Sequence, residues 1–188
     1  MRIHKVFIFT AFFILGFTEG FGQEKKIQNY ICLSAQQTKN LMFSEGYELK
    51  LPDSWCGYKG FHDILIFSPK SIASLKEAHN LNGLYVSLPD NKTFKSKSIE
   101  EALKTHFVLL NDGSEFAPIY DESVHEYYGK YYIIKHKSIQ EGQKLMNLDL
   151  LFNYQNQDYI IHYSVLEKNF NANLNEVIQI MESFKINE

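Results

Sequence analysis

Side chains able to do chemistry are plentiful in this chain, and few of them are spaced for it. Trp55-Cys56-Gly57 opens like a thioredoxin-type redox site, but Lys59 stands where the second cysteine should be, and no βαβ unit follows. Without a resolving thiol the mixed disulfide cannot be released, so redox catalysis is not expected. His62, His79, His106, His125, His136 and His162 form no His-x-His or His-x-x-x-His pair. Two ligands on one strand or helix face need such spacing. Each therefore reads as a packed or surface imidazole, His106 on the buried edge of a helix and His136 and His162 within strands. Asp121, Glu122, His125 and Glu126 are the densest polar cluster. They lack the alternating carboxylates and central Gly of a calcium loop, and read as a solvated loop. There is no Gly-x-Ser-x-Gly elbow and no Gly-rich phosphate loop. No catalytic residue, metal or cofactor is expected.

The aromatic side chains are more suggestive. Tyr120, Tyr127, Tyr128, Tyr131, Tyr132, Tyr154, Tyr159 and Tyr163 crowd one half of the chain. Tyrosine is enriched in strands and at binding surfaces alike, because it covers a large area and keeps a polar tip. Alternation along a strand sends Tyr131 and Tyr132 to opposite faces. Tyr120, Tyr127, Tyr128 and Tyr132 are the candidate binding residues; plain sheet packing is the other reading.

The N-terminus sets the compartment. Arg2, His4 and Lys5 precede a mostly apolar run from Val6 to Phe17, and Gly20-Phe21-Gly22 places small residues before Gln23. This is the pattern of an export signal cleaved after Gly22. The apolar run would span roughly 18 Å as a helix, short of the ~30 Å hydrocarbon core, so no permanent membrane span is expected. Residues 45–188 then form one domain, preceded by a weakly patterned stretch, 23–44. The net charge of −3 becomes one unit more negative when Arg2, Lys5 and Glu19 leave. With scattered lysines, that argues against nucleic acid or an anionic-lipid anchor. Export puts Cys32 and Cys56 in an oxidising space, where they either form a disulfide or pack as two separate thiols.

Periodicity supplies the elements. Ser34 and Gln37 make a capping box for a short helix toward Met42. Tyr47, Leu49 and Leu51 alternate as a strand ended by Pro52-Asp53, with Trp55 capping the core beyond it. Ile64 to Phe67 and Gly83 to Leu88 are further strands, and Ser71 to Asn80 is a helical turn or loop. Ser98 and Glu101 cap a helix to Leu110 whose apolar face carries Ile99, Ala102, Leu103, Phe107 and Leu110. Glu115 to Tyr120 is a less regular strand. Tyr131 to Ile139, Leu145 to Tyr154 and Tyr159 to Leu166 form a meander with turns at Glu141-Gly142 and 155–158. Asn173 and Glu176 cap a last helix with Leu174, Val177, Ile178 and Met181 on its stripe. Strands, helix, strands, helix, with tight late turns, means an α+β fold: a central antiparallel sheet with helices on its faces.

From residue 45 to 188 this order resembles PsbP-like domains of the Mog/PsbP type. Gly46-Tyr47-Glu48-Leu49-Lys50-Leu51-Pro52-Asp53-Ser54-Trp55 is similar to their opening strand, and Glu182-Ser183-Phe184-Lys185-Ile186 to their closing signature. Ser98-Ile99-Glu100-Glu101-Ala102-Leu103 sits where their middle helix begins, and the hairpin between Tyr154 and Tyr159 matches their late hairpin. The resemblance implies an α/β/α sandwich and a domain that binds or stabilises a partner without being an enzyme. The N-terminus is not a transit peptide, and export excludes a nuclear role, which leaves a bacterial periplasmic or secreted protein. Its expected action is contact with an envelope or extracellular protein. The alternatives are a small-molecule or glycan binder with a tyrosine-rich cleft, and a hydrolase with a Ser/His/Asp site outside any motif.

Overall fold

The computed structural model describes residues 32–59, 64–73, 83–88, 95–111, 118–140 and 142–187. The expected export signal lies outside the described residues, as does most of the 71–80 stretch. In chain order the first elements are α1 (Ala35–Ser44), β1 (Tyr47–Glu48), β2 (Trp55–Lys59), β3 (Leu65–Pro69), a short α2 (Lys70–Ala73) and β4 (Gly83–Ser87). Then follow α3 (Ile99–Asn111), β5 (Ile119–His125), β6 (Gly129–Gln140), β7 (Gln143–Tyr154) and β8 (Gln157–Leu166). A 3-10 turn (Glu167–Ala172), α4 (Leu174–Glu182) and β9 (Lys185–Ile186) finish the chain.

Seven strands form one sheet in the order β2-β3-β4-β8-β7-β6-β5, with every described pairing antiparallel. β1 and β9 pair separately. Side chains alternate between the two faces. On one face Leu148, Leu150 and Phe152 of β7 join Ile161, Tyr163 and Val165 of β8 beneath Val177, Ile180 and Met181 of α4, with Phe184 and Met42. On the other, Tyr132, Ile134 and Leu151 pack against Ala102 and Leu103 of α3. β7 is consequently buried on both faces from Leu145 to Phe152.

The local signals act largely as read. Ser34 and Gln37 form the reciprocal capping box of α1. At α3, Ser98 Oγ accepts from the Glu101 N–H, while the Glu101 carboxylate reaches one residue farther back and accepts from the Lys97 N–H at 2.8 Å. The β7–β8 turn is held by Gln155 and Asn156, both with positive φ, the two-residue geometry that matches strand twist.

Three expectations need correction. Trp55 does not end the first strand; it begins β2, a strand hidden from pattern reading because Trp55, Cys56, Gly57 and Tyr58 are all buried and show no alternation. The Asp121–His125 stretch is no loop, since it continues β5 along β6. Asn173 makes no side-chain cap on α4, and Glu176 instead accepts the Trp55 indole N–H at 2.7 Å. That bond ties β2 to the last helix. Ser183 has a similar task, accepting the Lys50 N–H and donating to the Ile180 carbonyl.

Cys32 and Cys56 form a disulfide with Cα atoms 5.6 Å apart, inside the usual range. Beside it the Leu33 N–H donates to the Gly57 carbonyl, so residues 32 and 33 lie along β2. A side chain at Gly57 would meet Thr38 of α1 at 2.8 Å, so glycine permits this approach. Replacing both cysteines by serine should lower stability by about 3 kcal/mol through loss of loop closure. Urea unfolding of the oxidised protein and the double variant measures this; coincident midpoints would mean that the bridge does not hold the segment.

Candidate functional site

The registers of β6, β7 and β8 converge on one carboxylate. Asp149 of β7 lies directly opposite His162 of β8, and His136 of β6 faces Asn147, one step along the same sheet face. From above, α3 presents His106 one turn after Ala102, on its buried side. The result is a buried aspartate contacted by three imidazoles. His106 Nε2 is 2.8 Å and His136 Nε2 3.2 Å from Asp149 Oδ2, and His162 Nδ1 bonds the other oxygen.

Asp149 is 1% exposed. Burial alone would raise its pKa, but the His162 charge and the hydrogen bonds from His106, His136 and His162 outweigh it and hold the carboxyl well below its usual value. Tyr85 of β4 lies opposite His162, with ring centroids 5.0 Å apart. Burial and the Asp149 charge push its hydroxyl far above the ordinary phenol value. The Asn147 amide bonds Ser138 Oγ at 2.9 Å and lies 3.4 Å from His136 Nδ1. Nearby, Asp158 accepts from Ser96 Oγ and the Asn153 amide, both at 2.6 Å. A cavity of about 10 Å³ lies between the two groups, lined by His106, Asp158 and Thr105 among others. Among the described residues, His106 Nδ1 is buried without a hydrogen-bond partner.

The tyrosine candidates separate. Tyr128 lies inside, between the His125 and Phe152 rings at 4.0 Å from each, and Tyr132 is buried under α3. Burial, with the Tyr131 and Glu182 charges, pushes the Tyr128 hydroxyl well above the usual phenol range. Tyr120 and Tyr127 reach the surface. Tyr120 packs on Phe107 and edge-on to Tyr132, and Tyr127 stacks on Tyr154. Beside them on β5, Ile119 is 69% and Val124 74% exposed. In the expected polar cluster Glu122 pairs with Lys130 at 3.1 Å, and His125 Nε2 lies 3.1 Å from the Glu182 carbonyl. The structure brings these residues to the sheet edge, not to a common centre.

Sequence reading weighed the histidines one at a time and missed the Asp149 group, whose members come from four elements. A usable signal was present. A two-residue turn at Gln155-Asn156 sets the register, so residues equally distant from it, Asp149 and His162, must face each other.

The sequence matches no protein-family profile and no curated protein. Among solved structures the chain is similar to LpqN of Mycobacterium tuberculosis, described as involved in cell envelope biogenesis, with TM-score 0.50 and 9% identity over 76% of this chain and 83% of that one. It is also similar to CyanoP, the cyanobacterial PsbP of Synechocystis, with TM-score 0.48 and 13% identity over 76% of this chain and 88% of that one. For a protein of Bacteroides thetaiotaomicron the values are 0.47 and 12%, over 76% of this chain and 45% of that one. At such identities the likeness is one of fold, and the expected α+β architecture, a central antiparallel sheet with helices packed on it, is the architecture observed.

Asp149→Asn should cost about 3 kcal/mol, because it leaves the histidines around a neutral amide. Since the folded state holds Asp149 below its unfolded pKa, its contribution is complete above about pH 4 and is lost as pH falls through the folded value. The stability gap between wild type and variant should therefore narrow in acid. Denaturant midpoints from pH 7 downward test this, and a gap unchanged by acid would remove the charge as its source.

Proposed function

We propose that this protein is an exported, non-catalytic PsbP-like domain that acts in the bacterial envelope or outside the cell by holding a protein partner along β5. The observation that carries the reading is the character of that edge strand. β5 ends the sheet order, and its residues from Ile119 to Val124 are exposed on both faces, with Ile119, Tyr120 and Val124 forming apolar surface. Among the described residues nothing pairs with its outer side, whereas the opposite edge, β2, is lined by Leu33 and closed by the disulfide. Unpaired backbone donors and acceptors next to exposed apolar side chains suit the addition of a strand from a partner.

Localisation rests on Met1 to Gly22 as a cleaved signal and is supported by the disulfide. The described part of the chain holds no helix long and apolar enough to cross a membrane. LpqN, similar in fold, is described as involved in cell envelope biogenesis, which suits the same compartment. The cavity beside His106, with room for about one water molecule, does not support the glycan alternative. The hydrolase alternative would need a serine or cysteine bonded to one of the clustered histidines, and none is among their described partners.

Residues 23–188 immobilised as bait should retain a specific protein from an envelope extract. The double variant Ile119→Asp/Val124→Asp should reduce that retention at least tenfold while keeping the wild-type melting temperature. Equal retention by the variant would remove β5 as the contact, and recovery of no specific protein would count against a protein partner altogether.

A further inference from the structure

We propose that His136, Asp149 and His162 bind one divalent transition-metal ion of the zinc class, with His106 as a positioning residue on the carboxylate. One ligand atom from each of the three lies within 4.8 Å of the others. Zinc holds nitrogen and carboxylate oxygen at about 2.0–2.2 Å, so tetrahedral ligand atoms stand roughly 3.4 Å apart. On this reading, closing that difference falls to rotation of the three side chains about χ1 and χ2 when the ion binds.

Charge favours the same reading. A carboxylate this deeply buried needs hydrogen-bond donors or positive charge in place of its lost water. A divalent cation supplies that charge and takes the imidazole lone pairs directly. Two nitrogens and one oxygen make a borderline donor set, suited to zinc and its neighbours and poorly to calcium or magnesium, which demand oxygen. The two cysteines, being bonded to each other, do not compete as thiolates.

The surroundings fit a metal centre. Ligating histidines and carboxylates are usually oriented by outer hydrogen bonds. Here His106 Nε2 holds Asp149 Oδ2 at 2.8 Å, and the Asn147 amide lies against His136 Nδ1. An Asn147 side chain turned by 180° would offer its oxygen to a His136 Nδ1–H and leave Nε2 to the ion. The ligands come from three adjacent central strands, a rigid support. His162, with its side chain 19% exposed, is the most accessible of the three and marks the entry side beside Tyr85. With three protein ligands, a fourth would come from water on that side.

The test uses residues 23–188 without an affinity tag, with the disulfide intact and metal stripped by a chelator. Calorimetric titration with zinc should give one ion per chain and a raised melting temperature, with no shift from magnesium or calcium. Cobalt should give the intense visible bands of a four- or five-coordinate site. His162→Gln and His136→Gln should each weaken zinc binding at least 100-fold, and His125→Gln, outside the cluster, should leave it unchanged. His106→Gln should weaken it by about 10–100-fold with the stoichiometry and cobalt bands retained. Absence of saturable one-to-one zinc binding and of cobalt bands in the wild-type protein would overturn the proposal. So would zinc binding indifferent to both His162→Gln and His136→Gln. Should either variant fail to fold, the wild-type cobalt spectrum decides on its own.

Discussion

A carboxylate in the middle strand of a sheet covered on both faces places a strict demand on everything around it. β7 is buried without interruption from Leu145 to Phe152, and Asp149 lies inside that span. An ionised carboxylate there loses its water, and only hydrogen-bond donors or a positive charge can replace it. Three histidines meet this need, and they come from both neighbouring strands and from the covering helix. The register of β6, β7 and β8 is therefore constrained twice, once by the apolar alternation and once by the aspartate. A one-residue slip of β8 would turn His162 to the opposite face and bring Ile161 or Tyr163 to Asp149.

The same demand fixes α3. Its apolar positions Ala102 and Leu103 would tolerate a modest sliding of the helix over Tyr132, Ile134 and Leu151. His106 would not, because its bond to Asp149 depends on distance and direction. The helix start is held as well, with Glu101 capping Lys97 and Ser98 capping Glu101. Behind it Ser96 anchors to Asp158, at the far end of the same hairpin. A polar line thus runs through an otherwise apolar interface and specifies one docking position among several that hydrophobic burial alone would accept.

What the sequence revealed follows from this division. Elements with one buried face announced themselves, such as α3 with its stripe, and so did the meander with its turns at Gly142 and Gln155-Asn156. β2 did not, because a strand buried on both faces has no period to read and Gly57 interrupts it. The expected strand at Tyr47, Leu49 and Leu51 is only Tyr47–Glu48, although Tyr47 and Leu49 are buried as the alternation requires. Asn147 and Asp149 resemble the wet side of a half-buried strand and are in fact buried, Asp149 against His106 of α3 and Asn147 against His136 and Ser138 of β6. The Asp149 group is a product of tertiary structure: no two of its histidines are neighbours in sequence, and only pairing register places them together.

The two edges of the sheet complete the physical picture, since they are treated differently. At β2 the chain spends a disulfide, the Leu33–Gly57 backbone bond and the Trp55–Glu176 bond on covering and anchoring one edge. At β5 it places Ile119 and Val124 in the open, and the charges there are partly occupied, Glu122 with Lys130 and Lys130 in turn with Glu100. Edge strands left bare invite pairing with another chain, and proteins ordinarily guard them. Stability cannot be the reason for this asymmetry, because covering β5 would bury more apolar surface and add hydrogen bonds. Among the described residues, β5 is thus an exposed edge beside a sheet centre held by a satisfied charge, and its outer donors and acceptors are left to solvent.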